Sequence, residues 1–265
     1  VVFDMWNQAT ASVGGTYRSD YGRLRIKVTG GSGTTAPFLV TALSGARGFH
    51  GTPIGASGST ALSVSDVTDN SWNHYAFTFK NNASAVDVEL YRNGKLIETV
   101  TTGSSMERVT GSIKGQIGAL LTVPSGTVGS GVTTAGSRPT TNMLGWGKLS
   151  GSIDEFRYWK TKRNSKQISL NWFTQVNGGT NTDLANVNLG VYYKFNEGIT
   201  ATGSVNKTVL DYAGRISNGT WTGYQKAGES DSYIFESRVI GSAIDNAGYT
   251  ETKDPIIYSY HTDVM

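Results

Sequence analysis

The chain has 265 residues, a length that one large β-sandwich or two modest domains can fill. It contains no cysteine, which removes disulfide frameworks, thiolate zinc sites and thiol catalysis together, while a bacterial or viral exterior protein tolerates that lack. With 34 glycines, only 16% charged residues and a net charge of +3, it reads as many short strands joined by turns, without the concentrated basic face that nucleic acid calls for. The opening Val1-Val2-Phe3 carries neither Met nor a charged-then-apolar signal segment, and is read as a piece of a longer polypeptide or a processed product. No apolar run approaches the length that crosses a bilayer, so no membrane insertion is expected.

Period-two alternation, the signature of a half-buried strand, recurs along the chain. Over Arg23–Thr29, Leu24, Ile26 and Val28 point one way and Arg23, Arg25 and Lys27 the other. Pro37–Leu43 is apolar on both faces, as a central strand is. In Trp72–Lys80, Tyr75, Phe77 and Phe79 share a face opposite Trp72, His74, Ala76 and Thr78. Val86–Arg92 is followed by Asn93-Gly94 and Lys95-Leu96-Ile97, which predicts a hairpin closed by a type I′ turn. Further strands are predicted at Gly115–Leu121, Gly151–Trp159, Leu189–Asn196 and Tyr233–Ile240. Thr122–Thr141 reads as a long surface loop. One short amphipathic helix is predicted over Asn164–Phe173, with Ser165 as its cap and Ile168 and Trp172 on one face. The pattern argues for a two-sheet antiparallel sandwich.

Three segments together resemble the laminin-G-like jelly rolls of the concanavalin A-like lectin/glucanase superfamily. They are Ser71–Lys80 with Glu89–Leu96, then Leu149–Trp159 with the Gln167-Ile168 helix, and Leu189–Gly198 with Leu210–Gly219. The resemblance implies an all-β concanavalin A-like jelly roll over residues 1–225, with residues 226–265 as a C-terminal strand and an arm or linker. In many relatives the segment matching 189–225 opens the domain; here it comes late, and is expected to return to the sandwich and fill the place of the first strands. Residues 177–223, with Asp254–Tyr258 behind them, also resemble large structural proteins of T4-like marine tailed bacteriophages. That likeness implies a virion component: a tail fibre, a baseplate part or a capsid decoration.

The superfamily includes retaining glycosidases, which need two carboxyl groups roughly 5–5.5 Å apart. The glucanase pattern resembles Glu-x-Asp-x-x-Glu. Here its first Glu is absent, Arg157 stands at its last position, and Asp154 and Glu155 are expected to alternate to opposite faces of a strand. His50 in a Gly-rich loop, His74 on a strand and His261 in the tail have no Gly-x-Ser-x-Gly elbow beside them. No catalytic residue is nominated, and no enzyme is expected.

In laminin-G-like relatives the loop matching Asp211–Gly219 can hold a structural calcium, with help from acids on neighbouring strands. Carried over, that nominates Asp211 and Asn218, with Asp154 and Glu197 behind them; a salt bridge from Arg215, or plain turn hydrogen bonds, are the alternatives. Lys160, Lys162, Arg163 and Lys166 form a basic run, read as a solvated face or an anionic-polysaccharide contact. Trp146, Trp221 and Tyr224 sit beside glycines in loop-like sequence and are the candidate sugar-stacking rings. The expected role is a non-catalytic module on a virion exterior, or alternatively on a bacterial surface, that binds host-surface polysaccharide. A purely architectural contact between virion subunits and a polysaccharide-active glycosidase are the alternatives, and homo-oligomerisation is left open.

Overall fold

The structure is a computed structural model that describes residues 1–7, 9, 12–13, 16–17, 19–29, 35–120, 124–128, 132–135, 149–176, 188–195, 208–213 and 217–220. It is all-β and antiparallel, with one short α-helix among the described residues. The chain divides into two compact units, Val1–Ser150 and Gly151–Met265.

In chain order the first unit carries β1 (Phe3–Trp6), the short pair β2 (Ser12–Val13) and β3 (Thr16–Tyr17), β4 (Gly22–Val28), β5 (Phe38–Ser44) and β6 (Arg47–Ile54). After them come β7 (Tyr75–Asn81), β8 (Val86–Arg92), β9 (Lys95–Thr102), β10 (Lys114–Ile117), β11 (Pro124–Val128) and β12 (Val132–Ala135). Five strands form one sheet in the order β10-β1-β4-β5-β6, and β7-β8-β9 form a second as a meander.

These two sheets close on one apolar core. Ile26, Phe38, Val40, Ala42, Phe49 and Ile54 from the larger sheet meet Val86, Val88 and Leu90 from β8, with Tyr75, Phe77 and Phe79 of β7 packed against them. Phe38 is the pivot, its ring edge-on to Tyr75 and to Phe77 at 5.1 Å each. The alternation read in β4 and β7 is therefore the alternation of the core. The β8–β9 hairpin turns at Asn93 and Gly94, with φ of 49° and 79°, the paired positive values of a type I′ turn.

The second unit carries β13 (Phe156–Trp159), α1 (Ser165–Asn171), β14 (Leu189–Tyr193), β15 (Thr208–Val209) and β16 (Gly219–Thr220). β14 pairs antiparallel with β13, and β15 with β16. Val176, Leu189, Tyr192 and Ala213 make its core, with Trp159 and Tyr212 against it. The helix is capped by Asn164 rather than Ser165. Asn164 Oδ1 accepts the Gln167 N–H at 3.0 Å and Gln167 Oε1 accepts the Asn164 N–H at 3.0 Å, a reciprocal capping box.

Several predicted strands are shorter than the periodicity implied. β13 begins at Phe156, not Gly151, because Glu155 takes a left-handed φ of 54° that no strand accommodates. β14 stops at Tyr193, two residues before Phe195 at φ 54°. β10 stops before Gly118 at φ 81°. Within the predicted loop 122–141, β11 and β12 form a hairpin. Trp72 and His74 precede β7 instead of belonging to it, and His50 lies on β6. The predicted strand at Tyr233–Ile240 and the arm 226–265 fall outside the described residues.

Candidate functional site

The segment leading into β7 is held by its own polar side chains. Asp69 Oδ1 accepts the Ser71 N–H at 2.9 Å, closing an Asx turn around Asn70 at φ 62°. Asn73 Oδ1 accepts from Arg92 Nε and from Asn93 Nδ2, both at 3.0 Å, and Asn93 Oδ1 accepts the His74 N–H at 2.9 Å. Arg92 also lies 3.6 Å from Asp69. The hairpin turn thus pins the loop from both ends.

Between those anchors stands Trp72, 64% exposed. An indole offers roughly 200 Å² of surface, so this exposure leaves about 3 kcal/mol of apolar burial unrealised at about 25 cal/mol per Å². A flat aromatic face flanked by carboxylate, amide and guanidinium groups whose positions are already fixed is suited to a ligand that is apolar on one face and hydroxylated at its rim.

The second polar locus is the face of the five-stranded sheet turned away from the core. Register places Asp4 opposite Arg25 and Trp6 opposite Arg23 across β1 and β4, and Thr41 of β5 opposite Arg25 on the other side. Arg23 grips Asp4 with two bonds, Nε to Oδ1 at 2.8 Å and Nη2 to Oδ2 at 2.6 Å, and lies 5.9 Å from the Trp6 ring. Burial works against the Arg23 charge, but the bonds and charge of Asp4 more than offset it and raise its pKa. Arg25 has less of that support, with Asp4 3.6 Å away: burial first, then the Arg23 charge, outweighs the Asp4 charge and lowers its pKa to about 10. A register shift in the β5–β6 pairing falls next to His50, whose pKa is held down to about 4 by burial and then by Arg25, Lys27 and Arg23.

In the second unit, Glu155 is the centre of a tight network. Its Oε2 accepts from Arg157 Nη2 at 2.8 Å and from the Tyr192 hydroxyl at 2.5 Å. Arg157 also donates to the carbonyls of Asn171 and Thr174, tying α1 and the segment after it to β13. Burial, then the Glu155 charge, pushes the Tyr192 phenol far above its usual range. Asp154 Oδ1 accepts the Glu155 N–H at 2.9 Å. These two acids lie outside the strand, so strand alternation does not describe their geometry. The local bond between them and the left-handed φ of Glu155 do.

A scan against protein-family models, a search of curated proteins and a search of solved structures each found no match.

The predicted site residues divide. Asp211 and Asn218 come together: Asn218 Oδ1 accepts the Asp211 N–H at 2.9 Å. Both Asp211 carboxylate oxygens are engaged, Oδ1 by the N–H groups of Tyr192 and Ala213 and Oδ2 by that of Ser217. Among the described residues no three acids or histidines converge as a metal cluster. Glu197, Trp146, Trp221 and Tyr224 lie outside the described residues. The basic run splits: Arg163 is buried with its guanidinium 4.0 Å from the Trp159 ring, while Lys160, Lys162 and Lys166 are exposed. Sequence reasoning missed Trp72 because it extended the β7 alternation three residues too far. The signal available was Asp69-Asn70-Ser71, a turn cluster directly before the ring.

Proposed function

We propose that this chain is a non-catalytic binding module of a virion exterior that takes a host-surface glycan at the Trp72 loop. The observation that carries the reading is the exposed indole on a loop fixed by Asp69, Asn73, Arg92 and Asn93. Sugars present an apolar C–H face to a ring and hydroxyls to neighbouring amides and charges, and a preformed loop spares the cost of ordering those groups on binding. The virion setting rests on the likeness of residues 177–223 to tailed-phage structural proteins, and the jelly-roll reading of the sandwich on the laminin-G-like segments. The test is binding of the chain to an immobilised panel of neutral and acidic surface polysaccharides. Trp72→Ala should weaken binding about tenfold or more while Tm stays within roughly 1 °C, since an exposed ring holds no core contact. Equal binding by wild type and W72A, or release of reducing ends from the polysaccharide, overturns the reading.

An architectural role has its own support. Leu170 at 59% and Phe173 at 46% exposure place two large apolar side chains at the end of α1, where a neighbouring subunit would cover them. Particle assembly that fails with Leu170→Ser and Phe173→Ser, but proceeds with W72A, would favour that role over glycan binding.

A further inference from the structure

The buried face of the five-stranded sheet carries more positive charge than its own residues neutralise. Arg23, Arg25 and Lys27 alternate along β4, and Asp4 is the one carboxylate ion-paired with them among the described residues. Arg23 uses that carboxylate fully. Arg25 reaches it only at 3.6 Å, beyond a hydrogen bond, and its Nε is a buried donor with no hydrogen-bond partner among the described residues. The Arg25 side chain is only 4% exposed, so water does not fill that role freely. Beside it, Thr41 Oγ1 accepts the Gly51 N–H at 3.0 Å, which leaves the hydroxyl proton to donate elsewhere. Lys27 and His50 are half-buried at the rim of the same face.

Burying a guanidinium with one N–H unmatched is costly, and its planar fork suits a carboxylate or phosphate partner. We infer that the Arg25, Lys27 and Thr41 face is a binding site for a small oxyanion, the carboxylate, sulfate or phosphate group of a ligand, seated between the Arg25 Nε and the Lys27 ammonium. Asp4 fixes Arg23 so that Arg25 and Lys27 remain for the ligand. Leu24, Ile26 and Val28 of the same strand turn into the core that the second sheet covers, so this site lies across the larger sheet from the core. It does not depend on the Trp72 loop, and either reading can fail without the other.

The experiment measures thermal unfolding of the whole chain with sodium sulfate, sodium phosphate or sodium glucuronate against chloride at matched ionic strength. Anion concentrations stay at or below about 10 mM, under the range where sulfate stabilises proteins by exclusion from their surface. The wild type should gain a saturable roughly 5–10 °C in Tm once the anion is about a hundredfold above its Kd. Arg25→Met should abolish the gain and Lys27→Met should at least halve it. Lys27 is half-exposed, so K27M keeps the test open if R25M does not fold. The imidazole resonance of His50 supplies a second readout: an anion beside it should move its titration midpoint up, and K27M should reduce that movement. Sulfate and phosphate acting where glucuronate does not identifies a tetrahedral oxyanion; glucuronate acting alone identifies an acidic sugar. A wild type that melts identically in all these anions and in chloride, or variants that respond as the wild type does, overturns the inference.

Discussion

Asp4→Asn is the sharpest probe of how the first unit is held together. Asp4 and Arg23 are 0% and 1% exposed at their side chains and share two short bonds, so the substitution strands a guanidinium in a place that water does not reach. Breaking a buried pair from one side costs about 3–5 kcal/mol. Two features push D4N toward the upper half of that range. The new amide turns an N–H₂ toward an Arg23 donor, and Arg25, 3.6 Å from Asp4, loses the one carboxylate paired with it among the described residues. A loss of about 4 kcal/mol corresponds to a fall in Tm of roughly 8–16 °C for a unit of this size. Urea unfolding followed by tryptophan fluorescence measures it, with the double variant D4L/R23M as comparison. Removing both partners and filling their volume with apolar atoms should recover more than half of the loss. A D4N chain within about 1 kcal/mol of wild type, or a double variant no better than D4N, would refute the reasoning.

His50 should make the chain acid-sensitive. Its folded pKa of about 4 lies below the usual 6.5, so on acidification the unfolded chain takes the proton first. The stabilisation is complete above pH 6.5 and is lost as the pH falls from there toward 4; allowing for screening of a half-buried ring, it amounts to about 1–2 kcal/mol. Urea midpoints at pH 7 and 4.5 should therefore converge in His50→Gln, and an unchanged slope would count against it. Asp211→Ala deprives three backbone N–H groups of their acceptor and should destabilise the second unit by about 2–3 kcal/mol, read by hydrogen exchange at Tyr192, Ala213 and Ser217. Gly103→Ala should cost at least about 2 kcal/mol, because at φ 69° a Cβ would lie 2.3 Å from the Gly48 carbonyl oxygen. Gly58→Ala, with φ 90° but nothing nearer than 3.8 Å, should cost about half that in the same melting assay.

The parts of the fold that were legible in the sequence are those where one local rule acts alone. The Leu24, Ile26, Val28 alternation and the Asn93-Gly94 turn are fixed by pleat and by backbone sterics, and both stand as read. The helix was found, but its cap was misplaced by one residue because Asn164 and Ser165 are both competent acceptors, and only the Gln167 reciprocal bond selects between them. Strand ends were the weak point. Glu155 looks like any strand residue until Arg157 and Tyr192, the latter distant in sequence, claim its carboxylate and its backbone turns left-handed. The candidate sites were less legible still. An exposed Trp72 differs from a buried one only through its neighbours, and the burial of the Arg23 to Lys27 stripe is not legible because nothing in a strand's own period reveals what lies over its polar side.

The same stripe has a consequence for how β4 finds its place. A slip of one residue against β1 or β5 would exchange the two faces of the strand, carrying Arg23, Arg25 and Lys27 in among Phe38, Phe77 and Val88 and leaving Leu24, Ile26 and Val28 against a carboxylate. Off-by-one pairings are thus penalised twice over, by ions dragged into hydrocarbon and by an Asp4 bereft of its counter-charge. The strand works as a keyed insert that seats one way, and a sandwich assembled from many short, glycine-rich segments gains an unambiguous starting alignment from it.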